Sequence, residues 1–85
     1  MTKLPRVVEK RFDWNRTRKG KQLWGQWRSG HIRIDPRLQG VDYLDTLIHE
    51  AMHEFLPYLS EVETEEKANA LARLLYRQGY RRTFL

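Results

Sequence analysis

The residues His49-Glu50-Ala51-Met52-His53 are the stretch whose types and spacing could do chemistry. Residues four apart lie on one face of an α-helix, so the two imidazoles could bind a single metal ion. The carboxylate of the second residue would then stand beside the metal, where it could act as a general base on a water molecule. If the surrounding chain is helical, this pattern predicts a zinc hydrolase site.

A helix over residues 42–56 is predicted to carry this motif. Asp42 is a suitable N-cap, and Pro57 ends the helix. At 100° per residue, His49 and His53 project about 150° from the centre of the apolar stripe, so we expect both imidazoles to face a cleft. The stripe itself consists of Leu44, Leu47, Ile48, Ala51 and Phe55.

A second helix is predicted over residues 60–78. Ser60 and Glu63 have the spacing of a capping box, in which each side chain accepts a hydrogen bond from the other residue's backbone. Small residues at Ala68 and Ala72 would let the two helices pack closely, and Gly79 is a suitable helix stop. The motif-bearing helix is therefore expected to have a helical neighbour.

Before the helices, residues 23–35 are predicted to form a β-hairpin that turns at Ser29 and Gly30. Strand alternation then gives an apolar face and a basic face. The apolar face contains Leu23, Trp27, Ile32 and Ile34, and the other face contains Trp24, Gln26, Arg28, His31 and Arg33. With a further strand expected within residues 6–14, the predicted fold class is α+β: a small antiparallel sheet of two or three strands followed by two helices.

Length and composition limit the alternatives. Eighty-five residues form one small domain, residues 1–85, and the absence of cysteine excludes disulfides and thiolate metal sites. Any metal would therefore be held by His and carboxylate side chains. The sequence has no apolar segment suited to a signal peptide or a membrane span, which predicts a cytoplasmic protein without membrane contact.

The strand over residues 32–35 and the motif helix resemble the active-site region of zincin metallopeptidases. The next helix contains E-x-x-A-N-x-x-A-x-x-L from Glu65 onward, and is similar to the glutamate-bearing helix of the anti-repressor, stress-response type of gluzincin-like peptidases. The chain also resembles short metallopeptidase-like proteins encoded by phages. The resemblance covers about residues 23–80 and implies a minimal zincin-like fold, peptidase activity and a phage origin.

This resemblance implies that Glu65 joins His49 and His53 as the third zinc ligand, leaving the fourth position for water. By helical count Glu61 also flanks the alanine stripe, and it is the alternative third ligand. The implied reaction is hydrolysis of peptide bonds by metal-activated water, with Glu50 as the general base. No residue is fixed by motif as a partner for the oxyanion, and the candidates are His31, Tyr58, Tyr76 and Tyr80.

A peptide or protein substrate is expected to pair along the strand at residues 23–28, where Trp24 and Arg28 could contact it. The alternative function is a non-catalytic binding module stabilised by zinc. Residues 1–40 contain 11 Lys or Arg and 3 Asp or Glu, whereas residues 41–85 contain 5 and 8. In that alternative, the basic N-terminal half, including Arg18, Lys19 and Lys21, would contact nucleic acid or an acidic protein.

Overall fold

The computed structural model of the chain describes residues 2–12 and 23–82. Within these residues three strands precede two helices, which confirms the predicted α+β fold class. Trp14 and the basic loop at residues 16–21 lie outside the described residues. The elements are β1 (Arg6–Glu9), β2 (Gly25–Arg28), β3 (His31–Ile34), α1 (Gly40–Phe55) and α2 (Glu61–Arg77).

Strands β2 and β3 form the predicted hairpin in the predicted register. Trp27 lies opposite Ile32 and Gly25 lies opposite Ile34 in the antiparallel pair. The turn contains Gly30 at φ 79°, a left-handed conformation that a residue without Cβ adopts at little cost. Leu23, which we expected on the apolar face, is 43% exposed and precedes the strand.

Strand β1 differs from the sequence expectation in direction and length. It pairs in parallel with β3, giving the order β1-β3-β2, so the sheet is mixed rather than wholly antiparallel. The strand also ends at Glu9, before the expected end at residue 14. Alternation of apolar residues indicates the face of a strand but not its direction, so the sequence pattern could not distinguish a parallel pair from an antiparallel one.

Helix α1 lies between the sheet and α2, and contacts both. On the sheet side, Ile32, Ile34 and Tyr43 form the buried core, with Leu47 and Ala51 packed against it. Phe55, which we placed in the same stripe, is 42% exposed. On the other side, α2 packs against α1 through three side chains that are fully buried, Thr64, Ala68 and Ala72.

The helix starts agree with the sequence in one case and differ in the other. Ser60 and Glu63 form the predicted capping box, with both bonds at 3.1 Å. In contrast, α1 begins at Gly40 with Gln39 as its N-cap, so Asp42 lies in the first turn instead. Its carboxylate still stabilises the helix there, through the partial positive charge of the N-terminus.

A buried carboxylate fixes the end of β3. Asp35 is fully buried and accepts hydrogen bonds from the backbone N–H of Phe12 and from the guanidinium of Arg37. The Arg37 guanidinium holds the pKa of Asp35 far below its ordinary value. This network ties Phe12, three residues beyond β1, to the connection that leads into α1. Neither helix is long and apolar enough to cross a membrane.

Candidate metal centre

The second half of α1 brings the motif side chains together as the helical spacing predicts. One ligand atom from each of His49, Glu50 and His53 lies within 4.8 Å of the others. The two imidazole rings meet edge to face, with centroids 5.0 Å apart. Their side chains are 20% and 23% exposed, so both rings remain partly accessible to solvent.

Glu61 is the carboxylate that closes this group from the side of α2. Its Oε1 lies 2.7 Å from Nε2 of His49, and its Oε2 lies 3.2 Å from Nε2 of His53. The residue is the first of α2, directly after the Ser60 cap. The capping box therefore fixes the start of the helix where the carboxylate can span both imidazoles.

Glu65, the expected third ligand, lies one helical turn further along α2 and is exposed. Within the part of the chain that the structure describes, both imidazoles form their ion pairs with Glu61. The two glutamates share a helix face, so the helical count alone could not separate them. The start of α2, and not its second turn, lies against the histidines.

The residues present fit a small divalent cation. Ligands at 2.0–2.1 Å in a tetrahedral site are about 3.3 Å from one another. Of the two nitrogen–oxygen distances to Glu61, the 3.2 Å to His53 is close to that value, whereas the 2.7 Å to His49 is that of a direct hydrogen bond and would have to lengthen. Two imidazole nitrogens with carboxylate oxygens are a donor set that suits zinc. Small side-chain shifts would therefore be enough to accommodate the ion.

Glu50 differs from Glu61 in its surroundings. It is partly buried between α1 and the sheet, and this burial raises the pKa of its carboxyl group. The neighbouring His49 and His53 lower that pKa, while the Glu61 carboxylate raises it. A carboxylate with a raised pKa is a stronger proton acceptor, which is the property that a general base requires.

Gly25 of β2 allows the sheet to approach the Glu50 side chain closely. A Cβ at this position would lie 2.5 Å from Cγ2 of Thr46 and 3.1 Å from Oε2 of Glu50. Only glycine fits such a contact without a shift of α1. Gly25 was not among our expected site residues, although a glycine inside a predicted strand is a known sign of close backbone approach.

Glu54 is a second residue that the sequence did not single out. Its Oε1 accepts hydrogen bonds from Nε1 of Trp27 at 2.9 Å and from the backbone N–H of Gly30 at 2.7 Å. These two bonds lower the pKa of Glu54. The Trp27 ring lies 6.0 Å from that of His53, so Glu54 holds the indole beside a candidate ligand.

The candidate oxyanion partners are dispersed over the molecule. The Tyr76 hydroxyl lies near Gly40 at the start of α1. Tyr76 and Gly40 line one pocket, and Tyr80 lines it too. Since Gly40 and His49 are nine positions apart on the helix, about 13 Å separates them along its axis. Tyr58 follows α1 in the connection to α2 and is 78% exposed, and His31 is an exposed residue of β3.

Comparison of the chain with models of protein families, with curated proteins and with solved structures finds no match.

Proposed function

We propose that this protein is a zinc-dependent peptidase in which His49, His53 and Glu61 hold the metal and Glu50 is the general base. The observation that carries the proposal is the Glu61 carboxylate, which spans both imidazoles beside a partly buried glutamate. A surface glutamate paired with one histidine would support only an ion pair. A carboxylate of α2 that contacts both imidazoles of an H-E-x-x-H helix supports a catalytic cation site.

A zinc ion held there would supply Lewis acidity to a water molecule and to the substrate carbonyl. Glu50 would accept a proton from the water at its carboxylate and deliver it to the leaving amine of the substrate. The burial that raises the pKa of Glu50 favours the first transfer. Glu54 and Trp27 position the His53 ring from the sheet side.

The sheet supports a peptide as the substrate. Strand β2 lies at one edge of the order β1-β3-β2, so its outer backbone groups have no strand partner in the described chain. An extended peptide can add to such an edge through main-chain hydrogen bonds. Because Gly25 of this strand faces Glu50, a peptide paired with β2 would have its backbone next to the general base.

Metal content tests the assignment of ligands. The purified protein should contain about one zinc ion per chain, and Glu61→Gln should weaken zinc binding at least tenfold, since even indirect partners of a ligand contribute 10–100-fold. Glu65→Gln is the matched control, four positions further on the same helix, and should bind zinc normally. Weak binding by the Glu65 variant together with normal binding by the Glu61 variant would reverse the assignment.

Activity tests the role of Glu50. We expect the wild-type protein to cleave a mixture of unstructured peptides, with new termini detected by mass spectrometry. Glu50→Gln should retain zinc and lose this cleavage, because the amide cannot accept the proton. Undiminished hydrolysis by this variant would show that Glu50 is not the general base. If the zinc-loaded wild-type protein cleaves none of the peptides, the metal has a structural role instead.

A further inference from the structure

The side of the sheet that faces away from α1 carries a concentration of positive charge. Ile32 and Ile34 of β3 are buried towards α1, so alternation turns the residues between them outward. The strand register then aligns outward residues from all three strands in two rows. We call this the outer face, and it consists of Arg6, His31 and Arg28 in one row and Val8, Arg33 and Gln26 in the next.

Three of these six residues are arginines and none is acidic. Within the described ranges 2–12 and 23–82, Arg6, Arg28 and Arg33 take part in none of the ion pairs. In contrast, Arg37 and Arg82 each pair with a carboxylate. The three guanidinium groups of the outer face are therefore not paired with a carboxylate in the described part of the protein, and Glu54, whose carboxylate interacts with His31, is the acidic residue at its rim.

Like charges on neighbouring strands destabilise a sheet. Arg6 and Arg28 flank His31 in one row, and Arg33 lies on the same strand as His31 two residues further on. Neighbouring strands are about 4.8 Å apart, and residues two apart on one strand are separated by about 6.7 Å. Positive charges held at this spacing favour a ligand that brings several negative charges at once.

We propose that the outer face binds the phosphodiester backbone of a nucleic acid, on the opposite side of the sheet from the metal centre. The guanidinium group presents a planar fork of donors that matches phosphate oxygens. The outer face has three arginine side chains and no lysine. Four of the side chains, Gln26, Arg28, His31 and Arg33, line a shallow depression of about 190 Å³. That volume is small for a buried small-molecule ligand but leaves room for a phosphate group.

An aromatic side chain beside the face favours nucleic acid over an acidic protein. Trp24 directly precedes β2, has the same parity as Gln26 and Arg28, and is partly exposed. The guanidinium of Arg37 lies 5.6 Å from its ring centroid. Indole rings next to cations are the usual stacking platforms for bases in single strands. An acidic peptide would use the charges but would have no group to stack on the indole.

The test compares two variants that lose the same charge at different places. Arg28→Gln with Arg33→Gln removes two cations from the outer face, and Arg73→Gln with Arg77→Gln removes two from exposed positions of α2. Binding is measured by fluorescence anisotropy with a labelled single-stranded oligonucleotide, a duplex and a poly-glutamate peptide. Each titration is repeated at salt concentrations from about 50 to 200 mM, because the dependence of affinity on salt measures the release of counterions from phosphates.

We expect the wild-type protein to bind the single strand, with an affinity that falls as salt is added. The outer-face variant should lose about 25-fold in affinity at 0.1 M salt and about 1.4 in the slope of log K against log salt, because each phosphate contact contributes about 0.7. The α2 variant should bind like the wild type. Arg28→Lys with Arg33→Lys should keep most of the slope, which separates lost charge from damaged folding.

Three outcomes would overturn the proposal. They are the absence of salt-dependent binding to either oligonucleotide, equal loss in the outer-face and α2 variants, and tighter binding of poly-glutamate than of nucleic acid. The last would assign the face to an acidic protein partner. Since none of these readouts uses peptidase activity, failure of this proposal is distinct from failure of the zinc peptidase assignment.

Discussion

Replacement of Gly25 by alanine tests how tightly the sheet is fitted to the motif helix. The added methyl group would lie 2.5 Å from Cγ2 of Thr46, a contact that real Cβ atoms do not make. It would also lie 3.1 Å from Oε2 of Glu50. Threonine has two common χ1 rotamers in a helix, so either the Thr46 side chain turns or α1, with its candidate ligands, moves away from the sheet.

The magnitude follows from two opposing effects. Overpacking of this kind costs about 1–3 kcal/mol, and loss of glycine freedom in the unfolded chain returns about 0.4–1 kcal/mol. The net loss in the free energy of unfolding is therefore between about 0 and 2.6 kcal/mol. For a domain of this length, a loss of about 1.5 kcal/mol corresponds to a decrease in Tm of about 6–12 °C.

The assay is chemical and thermal denaturation of Gly25→Ala, of Thr46→Ser and of the double variant. Serine keeps the hydroxyl of Thr46 and removes the methyl group that the new Cβ would strike. We therefore expect the double variant to recover most of the stability that the single Gly25 variant loses. If Thr46→Ser does not rescue a destabilised Gly25→Ala, or if Gly25→Ala is more stable than the wild type, the close contact between β2 and α1 is not as we describe.

Two further changes test other parts of the fold. Because Arg37 holds the pKa of Asp35 below its unfolded value of about 3.9, the stability that Asp35 contributes is present above that pH and is lost as the pH falls towards the folded pKa. The free energy of unfolding of the wild type should therefore decrease from about pH 5 to pH 2. Asp35→Asn should start from a free energy of unfolding at least about 1.5 kcal/mol lower and should decrease less steeply with falling pH. Parallel curves for the two proteins would exclude this ion pair as a source of the pH dependence. Ser60→Ala should lower the free energy of unfolding, measured with urea, by about 0.5–2 kcal/mol and should weaken zinc binding through Glu61. Ser60→Asp should preserve the stability and the zinc binding, because aspartate is an equally good N-cap. Equal effects of the two substitutions would argue against the cap.

Features that depend on local chemistry were predictable from the sequence. Strand alternation together with the Ser29-Gly30 turn gave the correct register of the hairpin, and the spacing of Ser60 and Glu63 gave the capping box. The predicted helices at residues 42–56 and 60–78 differ from the observed ones by two residues or fewer at each end. In each case a single segment contains all of the interacting groups.

Features that depend on how segments meet were not predictable in the same way. The parallel direction of β1 depends on which strand and which edge of the sheet β1 joins, and no local pattern indicates this. Glu61 and Glu65 share one face of α2, and only the approach of the two helices places Glu61 at the imidazoles. The contact of Glu54 with Trp27 joins residues 27 positions apart, which no local spacing indicates.

The candidate ligands lie close together in the sequence as well as in space. His49, His53 and Glu61 fall within one helical hairpin whose connection runs only from residue 56 to residue 60. Closing so short a loop costs little chain entropy, so these three side chains can meet before the sheet has paired. Contacts between near neighbours also form fast in folding. The helical hairpin therefore contains all three candidate ligands, and substitutions at the five connecting positions could change the spacing of these ligands while the rest of the protein stays the same.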